Sequence, residues 1–324
     1  MKISRRDFVR TTIAGTAGFC AGVYRTRSQA GELPANLPEE DGYKLWLRYA
    51  PPGRAAENYR KAIRQIRVDG SSATSGIIRE ELRAAIASLL GSAIPAKEKN
   101  LAAGAIVVGT PQNSKLIRDL NWAAELSAAG AEGFVIRQAR IEKQPVTVIA
   151  SNGEMGVLYG AFHFLRLMQT GQSLSGIDFV DGPVLQLRVM NHWDNSNGTI
   201  ERGYAGRSLW QWDELPEKIS PRYADYARAC ASIGINGAVI NNVNAAPNML
   251  GAEMLRKVAA LAEVWRPYGV RMYLSANFAA PSRLGGLATS DPLDKTVIDW
   301  WKAKADEIYG LIPDFGGFLV KANS

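Results

Sequence analysis

The sequence predicts an α/β fold made of two regions, an α+β region over residues 40–180 and a region of alternating strands and helices over residues 181–324. Two observations support this prediction. In the first region, helical patterns are mixed with short strand patterns and a β-hairpin pattern. In the second region, four apolar strand patterns alternate with three amphipathic helix patterns, which is typical of a parallel sheet covered by helices.

The N-terminal residues have the pattern of an export signal. Residues 4–10 (SRRDFVR) resemble a twin-arginine motif, a weakly apolar run over residues 11–23 follows, and residues 28–30 (SQA) form a small-x-small cleavage site. An amphipathic N-terminal helix is the alternative interpretation. We therefore expect a twin-arginine-type signal peptide over residues 1–30, a linker over residues 31–39, and export to the periplasm or the extracellular space.

The positive charge of the chain is concentrated in this signal. The net charge is +7, but residues 1–30 hold six Lys and Arg residues against one Asp, so that only +2 remains for the rest. A nucleic-acid-binding protein keeps its positive charge on the folded domain. We therefore exclude nucleic acid as a partner. We also expect no membrane association after export, because no run of about 20 apolar residues is present.

Cysteine and histidine are too few for a disulfide framework or a common metal site. Cys20 lies in the signal, so Cys230 is alone in the rest of the chain. The two histidines are His163 and His192. We therefore expect no metal site built from histidines.

The elements of the first region follow from periodicity and turn residues. Residues 41–49 (DGYKLWLRY) alternate large and polar side chains, which predicts a strand. The remaining patterns predict helices over 77–90, 114–120 and 155–168, a strand over 105–109, and a β-hairpin over 133–140 and 145–150. Asp181-Gly182-Pro183 then marks a domain boundary.

The second region alternates strands and helices. The patterns predict strands over 187–192, 237–244, 270–277 and 317–322, and helices over 221–233, 255–265 and 297–312. A doubly wound sheet and a (β/α)8 barrel both fit this alternation. The long loop over 194–220, together with polar and aromatic residues at the C-terminal ends of the strands, favours the barrel. No Gly-rich phosphate loop follows the first strand, which weakens a nucleotide-binding alternative.

The length of the second region fits only part of such a barrel. A barrel needs eight strands and about 250 residues, whereas residues 181–324 supply four strand patterns. We therefore expect the first four βα units of a (β/α)8 TIM barrel, truncated. A small complete α/β domain is the alternative.

Candidate ligand-binding residues follow the predicted strands. Trp193 offers an apolar face to a sugar ring, or else packs over the sheet. Glu201 and Arg202 are polar candidates, or else a solvated surface pair. The amides within Asn241–Asn244 suit a polyhydroxylated ligand, or else cap their own loop. Lys321 suits an anionic substrate, or else extends along the surface towards water.

The carboxylates do not form a recognisable catalytic pair. Glycoside hydrolysis commonly uses two carboxyl groups on opposite sides of the scissile bond. The candidates come from two loops, one holding Asp194, Glu201, Asp213 and Glu214, the other Asp291 and Asp294. The residues alone therefore predict a site for a sugar or an organic acid.

From about residue 40 to its C-terminus, the chain resembles the α-glucuronidases of glycoside hydrolase family 67. The matching stretches include NHWDN at 191–195, GTIERGYAGRS at 198–208, NNVN at 241–244 and DFGGFLVKANS at 314–324. Further stretches are DGY at 41–43, LWLRY at 45–49, SIGING at 232–237 and DPLD at 291–294.

The resemblance implies an N-terminal α+β domain, a central (β/α)8 barrel and a C-terminal helical domain. It also implies hydrolysis, with inversion and without a cofactor, of the α-1,2 bond of (4-O-methyl)glucuronic acid on xylo-oligosaccharides in xylan breakdown. An acid then protonates the leaving oxygen while a second carboxylate activates water. The intact protein is expected to be a homodimer, as members of the family commonly are.

The resemblance assigns roles to five residues. Trp193 and Val243 resemble the apolar sheath around the sugar and its methyl group, and Lys321 resembles the base that pairs with the glucuronate carboxylate. Glu201 and Asn242 are further candidates for sugar contacts. The family's general acid is a glutamate directly after Lys-Ala-Asn-Ser, so the catalytic residues are expected after Ser324. This chain is then expected to be inactive, and a non-catalytic carbohydrate-binding protein is the alternative.

Overall fold

The computed structural model describes residues 41–94, 100–244 and 246–321, which contain two β-sheets. The described residues from Lys44 onwards belong to one unit. The predicted signal peptide and linker over residues 1–39 lie outside the described residues. Within the described ranges, no helix combines the length and the apolar character needed to cross a membrane.

The first sheet has five strands and mixed pairing. Its strands are β1 Gln65–Val68, β2 Ala105–Gly109, β3 Phe134–Ile141, β4 Gln144–Ala150 and β5 Asp178–Asp181. They lie in the order β1-β2-β4-β3-β5, with β1, β2 and β4 parallel and β3 antiparallel to both of its neighbours. Every residue of β2 is buried, as expected for a central strand covered on both faces. The predicted hairpin is confirmed, and positive φ angles at Glu142 and Lys143 form its turn.

Helices cover the first sheet. They are α1 Ala55–Ala62, α2 Ala73–Leu90, α3 Lys115–Arg118, α4 Ala123–Ala129 and α5 Glu154–Gln169. The Ser72 side chain accepts a hydrogen bond from the Ser75 amide and thereby begins α2. Buried residues of α2 and α5, including Leu82, Ile86 and Phe164, belong to one hydrophobic cluster with strand residues. The sequence patterns did not predict α1, α4, β1 or β5.

The predicted strand over residues 41–49 is wrong. Leu45–Arg48 forms a short 3-10 helix, and Leu45 and Tyr49 have φ angles of +50° and +51°, which no extended strand adopts. The physical reason is tertiary. The Trp46 indole N–H donates to Ser232 Oγ at 2.7 Å, and the Tyr49 hydroxyl bonds to the Glu81 carboxylate. These contacts with distant residues override the local alternation.

The second sheet has four parallel strands in chain order. They are β6 Val189–Asn191, β7 Gly237–Val239, β8 Arg271–Ser275 and β9 Gly317–Leu319. The accompanying helices are α6 Pro221–Ser232, α7 Ala252–Trp265, α8 Ala280–Arg283 and α9 Lys295–Leu311. The prediction of an α/β chain is thus confirmed at the level of a mixed α/β fold with two sheets. The strands are shorter than predicted.

A second hydrophobic cluster lies between this sheet and its helices. Its largest fully buried side chains are Trp210, Tyr223 and Trp265. The indole N–H groups of Trp210 and Trp265 donate to backbone carbonyls of Ile240 and Tyr223, each at 3.1 Å. Both buried indoles therefore have the hydrogen-bond partner that burial requires. The predicted domain boundary at 181–183 lies between β5 and β6 and stays a prediction.

A buried ion pair joins helix α2 of the first region to helix α6 of the second. Arg228 donates from Nε and Nη2 to the two carboxylate oxygens of Glu81, at 2.6 and 2.9 Å. The Glu81 side chain is only 7% exposed. The Tyr49 hydroxyl bonds to the same carboxylate, and burial raises the pKa of Tyr49, so this hydroxyl keeps its proton. The pair is therefore fully hydrogen-bonded as well as buried.

Further polar contacts connect the two regions. Arg166 on α5 donates to the carbonyl of Ser232 at 2.7 Å, and Thr74 on α2 donates to the carbonyl of Pro267 at 2.8 Å.

The turn after Pro267 ends at Gly269, whose φ is +71°. A Cβ atom at Gly269 would lie 2.1 Å from Met155 Sδ. Glycine therefore allows both the left-handed turn and the close approach to α5.

We expect Arg228→Met to lower the free energy of unfolding by about 3 kcal/mol, because it leaves the buried Glu81 carboxylate without its cation. Urea denaturation of the 324-residue chain measures this change. Arg222→Met, at an exposed position on the same helix, is the matched control and should change stability by less than about 0.5 kcal/mol. Equal effects of the two substitutions would contradict the importance of the pair.

We expect Gly269→Ala to destabilise the protein by about 1–2 kcal/mol through its left-handed backbone, plus a contribution from the Met155 contact. Gly176→Ala is the matched control. Gly176 has nearly the same φ, +70°, but nothing lies within 4 Å of its Cβ position. Thermal melts should show a larger loss at Gly269, and identical losses would exclude a role for Met155.

Candidate functional site

The predicted site residues lie beyond the carboxyl ends of the second sheet. Strand β6 ends at Asn191, β7 at Val239 and β9 at Leu319. Trp193 and Glu201 follow β6, Asn242 and Val243 follow β7, and Lys321 follows β9. Because the strands are parallel, these segments meet at one edge of the sheet.

Trp193 projects from a backbone held on both sides. The Trp193 side chain is 41% exposed, whereas its neighbours His192 and Asp194 are half-buried and buried. The Trp193 carbonyl accepts hydrogen bonds from the Glu201 amide at 2.8 Å and from Asn242 Nδ2 at 3.4 Å. An exposed aromatic ring on a fixed backbone can bind the apolar face of a sugar.

The loop after Trp193 folds back on itself. Asp194 bridges to Ile200, and Thr199 bridges to Arg207. Inside the loop, Asn195 Nδ2 donates to Thr199 Oγ1 at 2.9 Å and to the Glu201 carbonyl at 2.8 Å. These bonds fix the position of Glu201 relative to Trp193.

Glu201 has the least satisfied side chain of the predicted site. Its side chain is 13% exposed, and its Oε2 atom is buried without a hydrogen-bond partner among the described residues. Its Oε1 atom lies 3.7 Å from Nε of Arg202, whose side chain is 82% exposed and therefore mostly solvated. Glu201 also has a positive φ of +56°. A buried acceptor without a donor costs free energy, and such groups concentrate at functional sites.

Asn242 holds two loops together. Its Nδ2 donates to Asn195 Oδ1 and to the Glu201 carbonyl, both at 3.2 Å, as well as to the Trp193 carbonyl. Its Oδ1 accepts from the Asn244 amide at 2.9 Å. This geometry favours the interpretation in which the amide caps its own surroundings, and Asn242 can support the site by positioning Trp193 and Glu201.

Lys321 and Val243 are the remaining predicted site residues at this edge of the second sheet. Lys321 is exposed, and its Nζ donates to Asn244 Oδ1 at 2.8 Å. Lys321 forms no ion pair with any carboxylate in the described part of the chain. Val243 is half-buried and adds apolar surface next to Asn242. The site thus combines an unpaired cation with apolar surface.

Sequence reasoning missed a buried polar group beneath Trp193. His192 Nε2 lies 2.6 Å from the Tyr226 hydroxyl, and Ser208 donates to Asp194 Oδ1. Burial lowers the pKa of His192, although the Asp194 charge acts in the opposite direction, so the imidazole is neutral at pH 7. Because Ser208 bonds to Asp194 and not to His192, the group is not a nucleophilic triad.

Three of the other carboxylates singled out in the sequence, Asp291, Asp294 and Glu214, have structural contacts. Asp294 accepts from the Thr296 amide at 2.8 Å and begins α9, and Asp291 accepts from the Leu293 amide at 2.9 Å. Glu214 pairs with Lys218 at 2.9 Å on the surface. Among the described residues, no three His, Cys, Asp or Glu side chains are grouped as metal ligands.

Curated relatives match most of this chain but only part of their own length. "Probable alpha-glucuronidase A" of Aspergillus oryzae is 38% identical over 290 residues, and "Alpha-glucuronidase A" of Emericella nidulans is 38% identical over 300 residues. In both cases the match covers 88% of this chain and 34% of the relative. The chain therefore spans about a third of the length of these relatives.

Two solved structures share the fold at low sequence identity. A family GH115 4-O-methyl-α-glucuronidase with specificity for decorated arabinogalactans superposes with a TM-score of 0.52 at 18% identity, covering 76% of this chain and 34% of that chain. A GH138 enzyme targeting pectin rhamnogalacturonan II superposes with a TM-score of 0.51 at 15% identity, covering 79% of this chain and 30% of that chain. At these identities the likeness concerns the fold alone.

Two family profiles match successive parts of the chain. "Glycosyl hydrolase family 67 N-terminus" matches residues 45–164, and "Glycosyl hydrolase family 67 middle domain" matches residues 167–324. Together they include both sheets and all five predicted site residues. With this coverage, the chain belongs to glycosyl hydrolase family 67.

Proposed function

We propose that this chain is part of an α-glucuronidase. The intact protein would hydrolyse the α-1,2 bond of (4-O-methyl)glucuronic acid on xylo-oligosaccharides, with inversion, in xylan breakdown. The observation that carries the proposal is the unpaired cation of Lys321 at the same sheet edge as the exposed ring of Trp193. A hexuronic acid presents both an anion and an apolar ring face. Family membership and the names of the relatives support the same substrate class.

Each predicted residue has a role in this proposal. Lys321 pairs with the glucuronate carboxylate, and Trp193 and Val243 pack against the sugar ring and its methyl group. The unpartnered Oε2 of Glu201 accepts a hydrogen bond from a sugar hydroxyl, which removes the cost of leaving it without a donor. Asn242 holds Trp193 and Glu201 in position through its hydrogen bonds to their backbone carbonyls.

We further propose that the second sheet is the first half of a (β/α)8 barrel. Four parallel strands with intervening helices fit one half, and the matched relatives are about three times longer than the matched part. In this proposal the general acid and the carboxylate that activates water lie beyond Ser324, and the chain binds substrate without turning it over. An inverting enzyme needs these groups roughly 6.5–9.5 Å apart.

A non-catalytic carbohydrate-binding protein is the second candidate. The observation that favours it is that Asp291, Asp294 and Glu214, three of the carboxylates considered in the sequence, make contacts that serve the fold. The coding DNA distinguishes the two candidates. A glutamate codon directly after Ser324 in a continuing reading frame supports the enzyme, and a stop codon there supports the binding protein.

Export and assembly also belong to the proposal. We propose that the twin-arginine-type signal over residues 1–30 directs export to the periplasm or the extracellular space. The intact protein would then meet its oligosaccharide substrate outside the cytoplasm, and would act there as a homodimer.

We expect glucuronic acid to bind the 324-residue chain and Lys321→Ala to weaken this binding roughly tenfold or more, because a charge-assisted contact is lost. Isothermal titration calorimetry measures the affinity. Lys302→Ala removes another exposed lysine, on α9, and should leave it unchanged. Xylose, which lacks a carboxylate, should show no difference between the wild type and Lys321→Ala. Failure of the wild type to bind glucuronic acid would contradict the proposed function.

A further inference from the structure

A chain of buried and half-buried polar side chains lies next to Trp193, and the proposed function assigns it no role. It runs from Tyr226 on α6 to His192, Asp194 and Ser208. The Tyr226 hydroxyl is 2.6 Å from His192 Nε2, and His192 Nδ1 is 3.9 Å from Asp194 Oδ2. Buried polar groups of this kind are retained when they fix a particular arrangement.

The charges around His192 determine where its proton lies. The groups that face the imidazole are the Asp194 carboxylate, the Tyr226 hydroxyl and the edge of the Trp210 ring. Burial keeps His192 neutral, so one ring nitrogen carries the proton. The Asp194 charge favours the proton on Nδ1, which leaves Nε2 as the acceptor for the Tyr226 hydroxyl. Burial raises the pKa of Cys230 on the same helix, which therefore stays a thiol.

Main-chain hydrogen bonds hold the backbone on either side of Trp193. The His192 amide donates to the Val239 carbonyl at 2.9 Å, and the Asp194 carbonyl accepts from the Asn242 amide at 2.7 Å. With both neighbouring side chains held inward, the side chain of Trp193 is left to face solvent.

We propose that Tyr226 is a positioning residue of the candidate sugar site: its hydroxyl, together with the Asp194 charge, fixes the tautomer and the ring orientation of His192, and thereby supports the exposed position of Trp193. The proposal rests on the proposed function, since it assumes that Trp193 contacts the sugar. Tyr226 itself contacts no ligand, because it lies on α6 beneath His192.

The experiment compares Tyr226→Phe with Tyr223→Phe in the 324-residue chain. Both tyrosines lie on α6, but the Tyr223 hydroxyl accepts from the Gln211 amide at 3.0 Å and does not contact His192. Nitrogen chemical shifts of 15N-labelled histidine report the tautomer, and the chain has only His163 as a second signal. Calorimetry with glucuronic acid reports the affinity.

We expect His192 to be the Nδ1–H tautomer in the wild type and in Tyr223→Phe, and a mixture of tautomers in Tyr226→Phe. Glucuronic acid affinity should fall roughly fivefold in Tyr226→Phe, which corresponds to about 1 kcal/mol, and should stay unchanged in Tyr223→Phe. A wild-type Nε2–H tautomer, or equal affinities in the two variants, would overturn the proposal.

A second variant covers the case in which Tyr226→Phe does not fold. Asp194→Asn removes the charge that faces Nδ1 and should shift His192 towards the Nε2–H tautomer. An unchanged tautomer in Asp194→Asn would also overturn the proposal. If the wild type does not bind glucuronic acid at all, the proposed function and the role of Tyr226 in binding fail together. The tautomer measurement then still decides whether Tyr226 fixes His192.

Discussion

The ion pair between Glu81 and Arg228 is the interaction on which the relation between the two sheets depends. A buried carboxylate with a half-buried guanidinium stabilises a fold only in the geometry that joins them. Helix α6 carries Arg228 and Ala231 towards the first region and packs Tyr223, Ala227 and Cys230 into the second hydrophobic cluster. The position of α6 is thus determined by both regions, and the segments that follow β6 and β7 are built next to it.

The polar side chains of the candidate site have two roles: some hold the loops in place, and others can bind a ligand. The side-chain amides of Asn195 and Asn242 donate to backbone carbonyls, and Asn242 also donates to the Asn195 side chain. Glu201 Oε2 can still accept a hydrogen bond, and the Lys321 ammonium can still donate further hydrogen bonds. Rigid amides thus support a small number of groups that can respond to a ligand, which is the arrangement expected of a preorganised site.

Much of the fold could be predicted because its signals are local. Strand β2 has the predicted bounds, and α6 begins at Pro221, as predicted. The segment around Leu45–Arg48 could not be predicted, because contacts with residues far along the chain determine its conformation. The same limit applies to the site. The polar residues after each strand could be named, but the pairing of His192 with Tyr226 joins residues 34 positions apart and has no sequence signature.

The bond between Lys321 and Asn244 has a consequence for the selectivity of the proposed site. An uncharged sugar would have to compete with a neutral amide for the lysine and would gain little from replacing it. A carboxylate exchanges a neutral hydrogen bond for a charge-assisted one, which is roughly twice as strong. In the proposed site, weakly charged or neutral ligands would therefore not displace the Asn244 side-chain amide from Lys321. In the proposed function, discrimination between acidic and neutral side chains of a polysaccharide would come from this exchange and would weaken as ionic strength rises.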